Sequence, residues 1–437
     1  MRASVLSSAL ASAFLAGEQT LPEILARGHR TLGREWPWLR PLVTRYVQEF
    51  RRTPRHREVE SFIASSRFFR FALKKFREEL RIASWIAESS GLRPVALAEA
   101  WNLPRIDHLG ALADWLAVDF SHLEWFADLK GIGYKTLPPK LEHYSYRLLT
   151  KPGGSLRLIE APKRTLKELQ RRILTGILDN IPPHPAAHGF VHGRSIRTFV
   201  APHVAKRALL RMDLKDFFPN LRTGRIEAFF RTLGYPEPVA QRLTGICTNA
   251  APRSLWEREA FDPSLLFEVH SLYRRPHLPQ GAPTSPALAN ACAYRMDCRL
   301  SALARAVGGR YTRYADDLAF SADGDLAHHP HRFAIRAAAI AMEEGFEVNH
   351  RKTRVMRCGV RQHLASITVN RHLNVNRTEF DSLKAILTNC ARHGPISQNR
   401  EGRTDFRAHL AGRVNFVAMI NPQKGARLRK LLEKIAW

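Results

Sequence analysis

Acidic residues, paired cysteines and long apolar runs are what this sequence has least of. Over 437 residues, Asp and Glu number 40 against 68 Lys and Arg, a formal charge of +28. Such a balance suits a polyanionic partner, held with an affinity that falls steeply as salt rises. No uninterrupted apolar run of about 20 residues occurs, so a membrane span is not expected. The five cysteines, Cys247, Cys292, Cys298, Cys358 and Cys390, form no C-x-x-C pair and no zinc-finger spacing. Their scattered use fits reduced thiols in the cytoplasm. Arg2 followed by a mildly apolar stretch through Leu15-Ala16 resembles an export signal on the surface. Its single positive charge and interrupting serines favour an N-terminal helix instead. The length exceeds what one compact core holds, so two or three domains are expected.

What is present is a set of carboxylates in particular surroundings. Arg310-Tyr311-Thr312-Arg313-Tyr314-Ala315-Asp316-Asp317-Leu318-Ala319-Phe320-Ser321 places two adjacent Asp between two β-favouring runs. Alternation turns the two side chains to opposite sides of the ribbon, so one faces a site while the other sits at its edge. An Asp-Asp turn in an ordinary hairpin is the competing reading. A further carboxylate stands in Leu209-Leu210-Arg211-Met212-Asp213-Leu214-Lys215-Asp216-Phe217-Phe218, where an apolar run reads as a strand ending at Asp213. Hard oxygen ligands in small number suit Mg²⁺, which takes its other ligands from water and substrate phosphates. A third segment, Leu278-Pro279-Gln280-Gly281-Ala282-Pro283-Thr284-Ser285-Pro286-Ala287-Leu288-Ala289-Asn290, is a turn-rich loop running into a helix with Pro near its first position.

Taken together, these segments resemble a bacterial reverse transcriptase, most closely of the retron type. Asp213 is similar to the carboxylate of polymerase motif A, Leu278 to Asn290 to motif B, and Tyr314 to Asp317 to the YxDD box of motif C. Upstream, Leu156 to Lys163 and Leu166 to Gln170 resemble the fingers motif, and Gly189 to Ile196 resembles the block after it. Downstream, Glu344 to Thr353 resembles motif D and Asn415 to Pro422 the thumb segment. Two signatures depart from the retron pattern. Phe199-Val200 stand where an Asn-Ala pair is usual before His203, and Leu364-Ala365-Ser366 stand where Val-Thr-Gly is usual.

The resemblance implies an α+β right-hand polymerase: a helical N-terminal extension over 1–110, fingers over 111–205, a catalytic palm over 206–362 and a thumb over 363–437. It implies two Mg²⁺ ions, with Mn²⁺ as a substitute, at Asp213, Leu214, Asp316 and Asp317. Arg157 and Lys163 would contact the incoming nucleotide, Phe218 would exclude a ribose 2′-hydroxyl, and Gln280 would shape the pocket at the 3′-hydroxyl. Lys352 would stand beside the leaving pyrophosphate. The implied partners are deoxynucleotides, a structured noncoding RNA as template and primer, the RNA–DNA duplex, and in addition an effector protein, in phage defence. Two other readings stay open: a polymerase making untemplated or protein-primed DNA, and an RNA- and effector-binding component in which synthesis is regulatory.

The rest of the chain says less. From residue 391 onward there are ten Lys/Arg and three Asp/Glu, and Lys424 to Ile435 has helical spacing. Arg427, Lys430 and Lys434 form one stripe, a candidate nucleic-acid surface, and Leu428, Leu431, Leu432 and Ile435 form a packing stripe. Residues 240–277, with Pro252, Pro263 and Pro276, read as an irregular insertion. Phe68 to Leu80 reads as a basic amphipathic helix, either packed in a bundle or turned to RNA or a partner. Trp36, Trp38, Trp85 and Trp101 argue that this region folds. His184, His188, His192 and His203 read as structural or RNA-facing rather than metal-binding.

Overall fold

The computed structural model describes residues 3–50, 54–86, 96–133, 138, 140–150, 156–257 and 263–437; Arg2 lies outside them. Two compact units emerge, each assembled from two separated stretches: Met1–Pro182 with Phe218–Leu288, and Pro183–Phe217 with Ala289–Trp437.

The first unit begins with five helices, α1 (Ala3–Leu15), α2 (Leu21–Leu32), α3 (Leu39–Glu49), α4 (His56–Ser65) and α5 (Arg67–Lys75). Helix α1 is buried continuously from Leu6 to Leu15, which explains the signal-like composition: it is the centre of a bundle and must be apolar on every side. Leu10, Phe14, Ile24, Leu39, Leu42, Ile63 and Phe69 share its core with Trp36 and Trp38. Arg27 closes the end of α1, donating to the Ala13 carbonyl at 2.8 Å, a group a helix terminus leaves without a partner, and to the Glu18 carbonyl just beyond the helix at 2.7 Å. Farther on, strands β1 (Tyr144–Thr150) and β2 (Leu156–Pro162) form an antiparallel hairpin with Tyr144 opposite Pro162. Leu156, Leu158 and Glu160 face inward while Arg157 faces solvent, the period-2 alternation of a half-buried strand.

The expected irregular insertion is instead helical. Glu237–Cys247, Arg253–Glu257 and Pro263–Tyr273 are helices, and Trp256 and Tyr273 pack with Leu156 and Leu158 of β2. Proline misled the reading because Pro263 starts a helix, where its missing N–H costs nothing. Residues 258–262 of that segment lie outside the described chain.

The second unit holds an antiparallel sheet of β3 (Ala208–Asp213), β4 (Arg310–Tyr314), β5 (Asp317–Ala322) and β6 (Arg354–Arg357), in the order β4-β5-β3-β6. Its C-terminal part is three helices, Arg377–His393, Phe406–Ile420 and Pro422–Leu432. Their shared core contains Leu383, Leu387, Leu410, Val414, Val417 and Leu428. The last helix stops at Leu432, so Arg427 and Lys430 lie on it, exposed, while Lys434 lies beyond its end. The expected helical stripe is therefore shorter by one residue. A Cβ on Gly425 would come within 2.3 Å of Ala418, which fixes glycine where these two helices meet. All five cysteines are free. No helix among the described residues is long and apolar enough to cross a membrane.

Buried histidines add a pH dependence to both units. His203 is bonded by Nδ1 to the Ser321 hydroxyl at 2.7 Å and by Nε2 to the Thr312 hydroxyl at 2.8 Å, joining its segment to β5 and β4. Burial pushes its pKa down to about 3, and burial with the nearby Arg242 charge pushes His56 down to about 3 as well. Both are neutral when folded, whereas an unfolded imidazole protonates near pH ~6.5. Unfolding thus takes up protons as the pH falls below about 6.5. Each histidine then costs the fold up to about 1.4 kcal/mol per pH unit until its folded pKa is reached. We expect a lower urea midpoint at about pH 5 than at about pH 7, and a smaller drop in His203→Asn. An equal drop in wild type and variant would contradict this.

Candidate active site

Strand register brings the acidic residues together. Asp213, at the end of β3, pairs directly with Asp317 at the start of β5, and β4 meets β5 with Tyr314 opposite Asp317. Ala315 and Asp316 thus form a two-residue turn. Ala315 takes φ 55°, a left-handed conformation that suits the first position of a tight hairpin and is uncommon for a residue with a side chain. The Leu214 N–H donates to the Asp316 carbonyl at 2.9 Å, which fastens the turn to the chain leaving Asp213.

The three carboxylates differ in their surroundings. Asp213 is 4% exposed and receives Lys352 Nζ at 3.0 and 3.1 Å on its two oxygens. Lys352 is delivered by a short 3₁₀ turn, His350–Lys352, that follows the Asn349 N–H bond to the Asp213 carbonyl at 2.7 Å. Asp317 is gripped by Arg211, whose Nε and Nη2 both donate to Oδ1 at 2.9 and 2.7 Å. Arg211 can reach it because residues two apart share one face of β3. Asp316 has neither partner. Its pKa is pushed up to about 6, first by burial and then by the charges of Asp213 and Asp317. Asp317 is also raised, chiefly by burial and against the pull of Arg211.

Two carboxylates crowded in a desolvated place, one still seeking a positive charge, form a donor set that fits a hard divalent cation. No group of three acidic, histidine or cysteine side chains among the described residues could hold a metal by itself. That agrees with Asp317 being turned to Arg211, while Asp213 is close enough for its charge to raise Asp316.

Beneath the turn lies a buried network that sequence reading did not single out. Arg313 and Asp297 both have fully buried side chains. The guanidinium grips Asp297 through Nη2 at 2.7 Å and Nε at 2.8 Å. Its Nη1 donates to Asn290 Oδ1 at 2.9 Å and to the Ala315 carbonyl at 3.1 Å. Tyr311 donates its hydroxyl to Asp297 at 2.7 Å, and Asn290 donates to the Gly189 carbonyl at 3.0 Å. A Cβ on Gly189 would stand 2.6 Å from the Ala315 nitrogen, so glycine lets that segment press against the turn.

The remaining expected site residues, Arg157, Lys163, Phe218 and Gln280, belong to the first unit. There the Glu160 N–H donates to the Gln280 carbonyl at 2.8 Å, and a Cβ on Gly281 would meet the Glu160 carbonyl at 2.9 Å, so β2 and the turn-rich loop are tied backbone to backbone. The Glu160 carboxylate, fully buried, bonds His277 at 2.8 Å and Asn249 at 2.7 Å. Arg157 thereby gains a rigid strand. Phe218 is half-buried.

Comparison with known proteins decides the family. Residues 149–385 match the family described as reverse transcriptase (RNA-dependent DNA polymerase). The chain belongs to the reverse transcriptases. Among them it is of the bacterial retron type. It is 44% identical over 292 residues to the Retron Mx65 reverse transcriptase of Myxococcus xanthus, a match covering 67% of this chain and 64% of that one. It is 37% identical over 342 residues to the Retron Mx162 reverse transcriptase of Myxococcus xanthus, covering 75% and 67%. To the Retron Ec86 reverse transcriptase of Escherichia coli it is 27% identical over 303 residues, covering 67% and 82%. The chain thus spans just under two thirds of the length of its Mx65 relative. In this reverse transcriptase the Tyr-Ala-Asp-Asp box is the β4–β5 turn itself.

Proposed function

We propose that this chain is an RNA-directed DNA polymerase that copies a structured noncoding RNA into single-stranded DNA, with antiviral defence as its biological setting. The observation that carries the reading is the pairing of Asp213 with the Asp316-Asp317 turn inside a chain of the reverse transcriptase family. Two Mg²⁺ ions, or Mn²⁺ in their place, would be held by Asp213 and Asp316 with the neighbouring Leu214, and would stabilise the attacking and leaving oxygens of an in-line displacement.

The chain's own residues supply positioning and charge. Arg157, exposed on the outward face of β2, offers a planar fork of donors suited to triphosphate oxygens, and Lys163 follows at the end of the same strand. Lys352 brings a positive charge beside Asp213, with a side chain 58% exposed, suited to neutralising or protonating a departing pyrophosphate. Gln280 has a buried Oε1 that accepts no hydrogen bond among the described residues, a fitting acceptor for a sugar hydroxyl. Arg427 and Lys430, exposed on the helix Pro422–Leu432, with Lys434 after it, would follow the phosphates of the RNA–DNA duplex.

Deoxynucleotide choice is assigned to Phe218. In Phe218→Ala we expect ribonucleotide incorporation to rise at least about tenfold relative to deoxynucleotide, since removing a steric block of about 1.4 kcal/mol changes a rate ratio by that factor. Primed RNA template, each nucleotide class and single-turnover rates provide the measurement. An unchanged ratio would remove the gate from Phe218.

A further inference from the structure

Helix α5 carries a surface that the polymerase reading does not use, and it lies outside the residues 149–385 matched to the family. Its sequence, Arg67-Phe68-Phe69-Arg70-Phe71-Ala72-Leu73-Lys74-Lys75, sorts at 100° per residue into two faces. Phe69 and Ala72 are buried in the bundle, with Phe68 and Leu73 packed partly against it. Arg67, Arg70, Lys74 and Lys75 are all exposed and surround Phe71, whose ring is 55% exposed. Phe71 thus presents an exposed aromatic ring among four cations.

The cations are arranged around aromatic faces. Lys75 Nζ stands 5.7 Å from the Phe71 ring centre, and Arg67 Cζ stands 4.9 Å from that of Phe68. Arg70 is anchored by its bond to the Ser65 carbonyl at 2.9 Å. Beside α5, helix α3 contributes Arg40, Thr44, Arg45 and Gln48 to an open cleft that Arg67 and Phe68 also line. Of the acids nearby, Glu49 pairs with Arg45 at 3.7 Å, Glu79 pairs with Arg34 at 2.5 Å, Glu78 follows the helix, and Glu58, Glu227 and Glu237 line a cleft that Arg45 and Ser65 also border.

We propose that the α3–α5 face binds single-stranded RNA, its cations holding successive phosphates and Phe71 stacking on an unpaired base. Cationic grooves with interleaved aromatic faces bind single strands because every base has a π-face and every linkage a charge. The proposal rests on the reading of the chain as an enzyme that copies RNA, and it gives the N-terminal helices the task of retaining that RNA. An acidic membrane surface would also meet four cations and an apolar ring, and is the competing occupant.

The test uses the full-length protein, a fluorescein-labelled 20-nucleotide unstructured RNA, and anionic vesicles of phosphatidylserine in phosphatidylcholine. Against wild type stands Arg67→Gln/Arg70→Gln/Lys74→Gln, whose changes are all on exposed positions. RNA affinity should fall at least about tenfold, and the slope of log affinity against log salt should shrink by about 0.7 for each lost phosphate contact. DNA synthesis on a saturating short primed homopolymer should stay within about twofold of wild type. Phe71→Trp, a separate variant, should have its fluorescence quenched when the RNA is added. Unchanged RNA affinity with no quenching would overturn the proposal, as would vesicle binding lost in the triple variant while RNA affinity stays intact. Absence of homopolymer synthesis in wild type would instead overturn the polymerase reading, and leaves the RNA-binding measurement readable.

Discussion

Asp316→Asn is expected to lower DNA synthesis by about a thousandfold or more, equivalent to about 4 kcal/mol of lost barrier reduction, with stability unchanged or higher. The two halves of this expectation share one cause. Asp316 is a desolvated carboxylate beside Asp213 and Asp317, and its pKa is pushed up to about 6 by that burial and repulsion. A neutral amide of the same shape relieves the strain on the fold and removes the charge that a divalent cation needs. Asp213→Asn should be as inactive, and it also releases Lys352, which sits 3.0 Å from the carboxylate. Single-turnover synthesis and thermal unfolding measured on the same preparations check both halves. A fall in synthesis that merely tracks a fall in melting temperature would mean that the carboxylates hold the structure and not the reaction.

Arg313→Leu should be the most destabilising substitution in the second unit. It leaves Asp297 fully buried without its cation, a situation that costs about 3–5 kcal/mol. The double variant Arg313→Met/Asp297→Leu should recover most of that loss, because an apolar pair of similar volume replaces a buried ion pair at little cost or even with gain. Synthesis should not recover with it. The Ala315 carbonyl and Asn290 each accept from Arg313 Nη1, at 3.1 and 2.9 Å, and the turn carrying Asp316 loses that support in either variant. Urea titration with synthesis rates separates the two effects. A double variant that regained both stability and activity would reduce the network to packing.

The parts of the site legible in the sequence are those written in local pattern. The strand ending at Asp213 announces itself as an apolar run and those around Asp316-Asp317 by β-favouring residues, and the register then sets Asp213 against Asp317. Arg313 and Asp297, sixteen positions apart, were not legible, because a buried ion pair leaves no periodic trace and each residue alone looks like surface charge. Arg211 was equally hidden: only the diagonal across two paired strands turns it toward Asp317. The division of the chain was harder still. Motifs follow one another linearly, whereas Phe218–Leu288 folds with the N-terminal stretch, and nothing in spacing or composition reports that return. The buried α1 and the helical segment around Pro263 make the same point, since apolar composition and proline each have two structural meanings that tertiary context decides.

The most direct test is to express the protein with its native flanking DNA, purify it, and sequence the nucleic acid that accompanies it, alongside Asp213→Asn/Asp316→Asn. The account predicts a discrete RNA carrying DNA complementary to part of it in the wild type, and the same RNA without DNA in the variant. DNA that persists in the variant, or that matches no accompanying RNA, would contradict it.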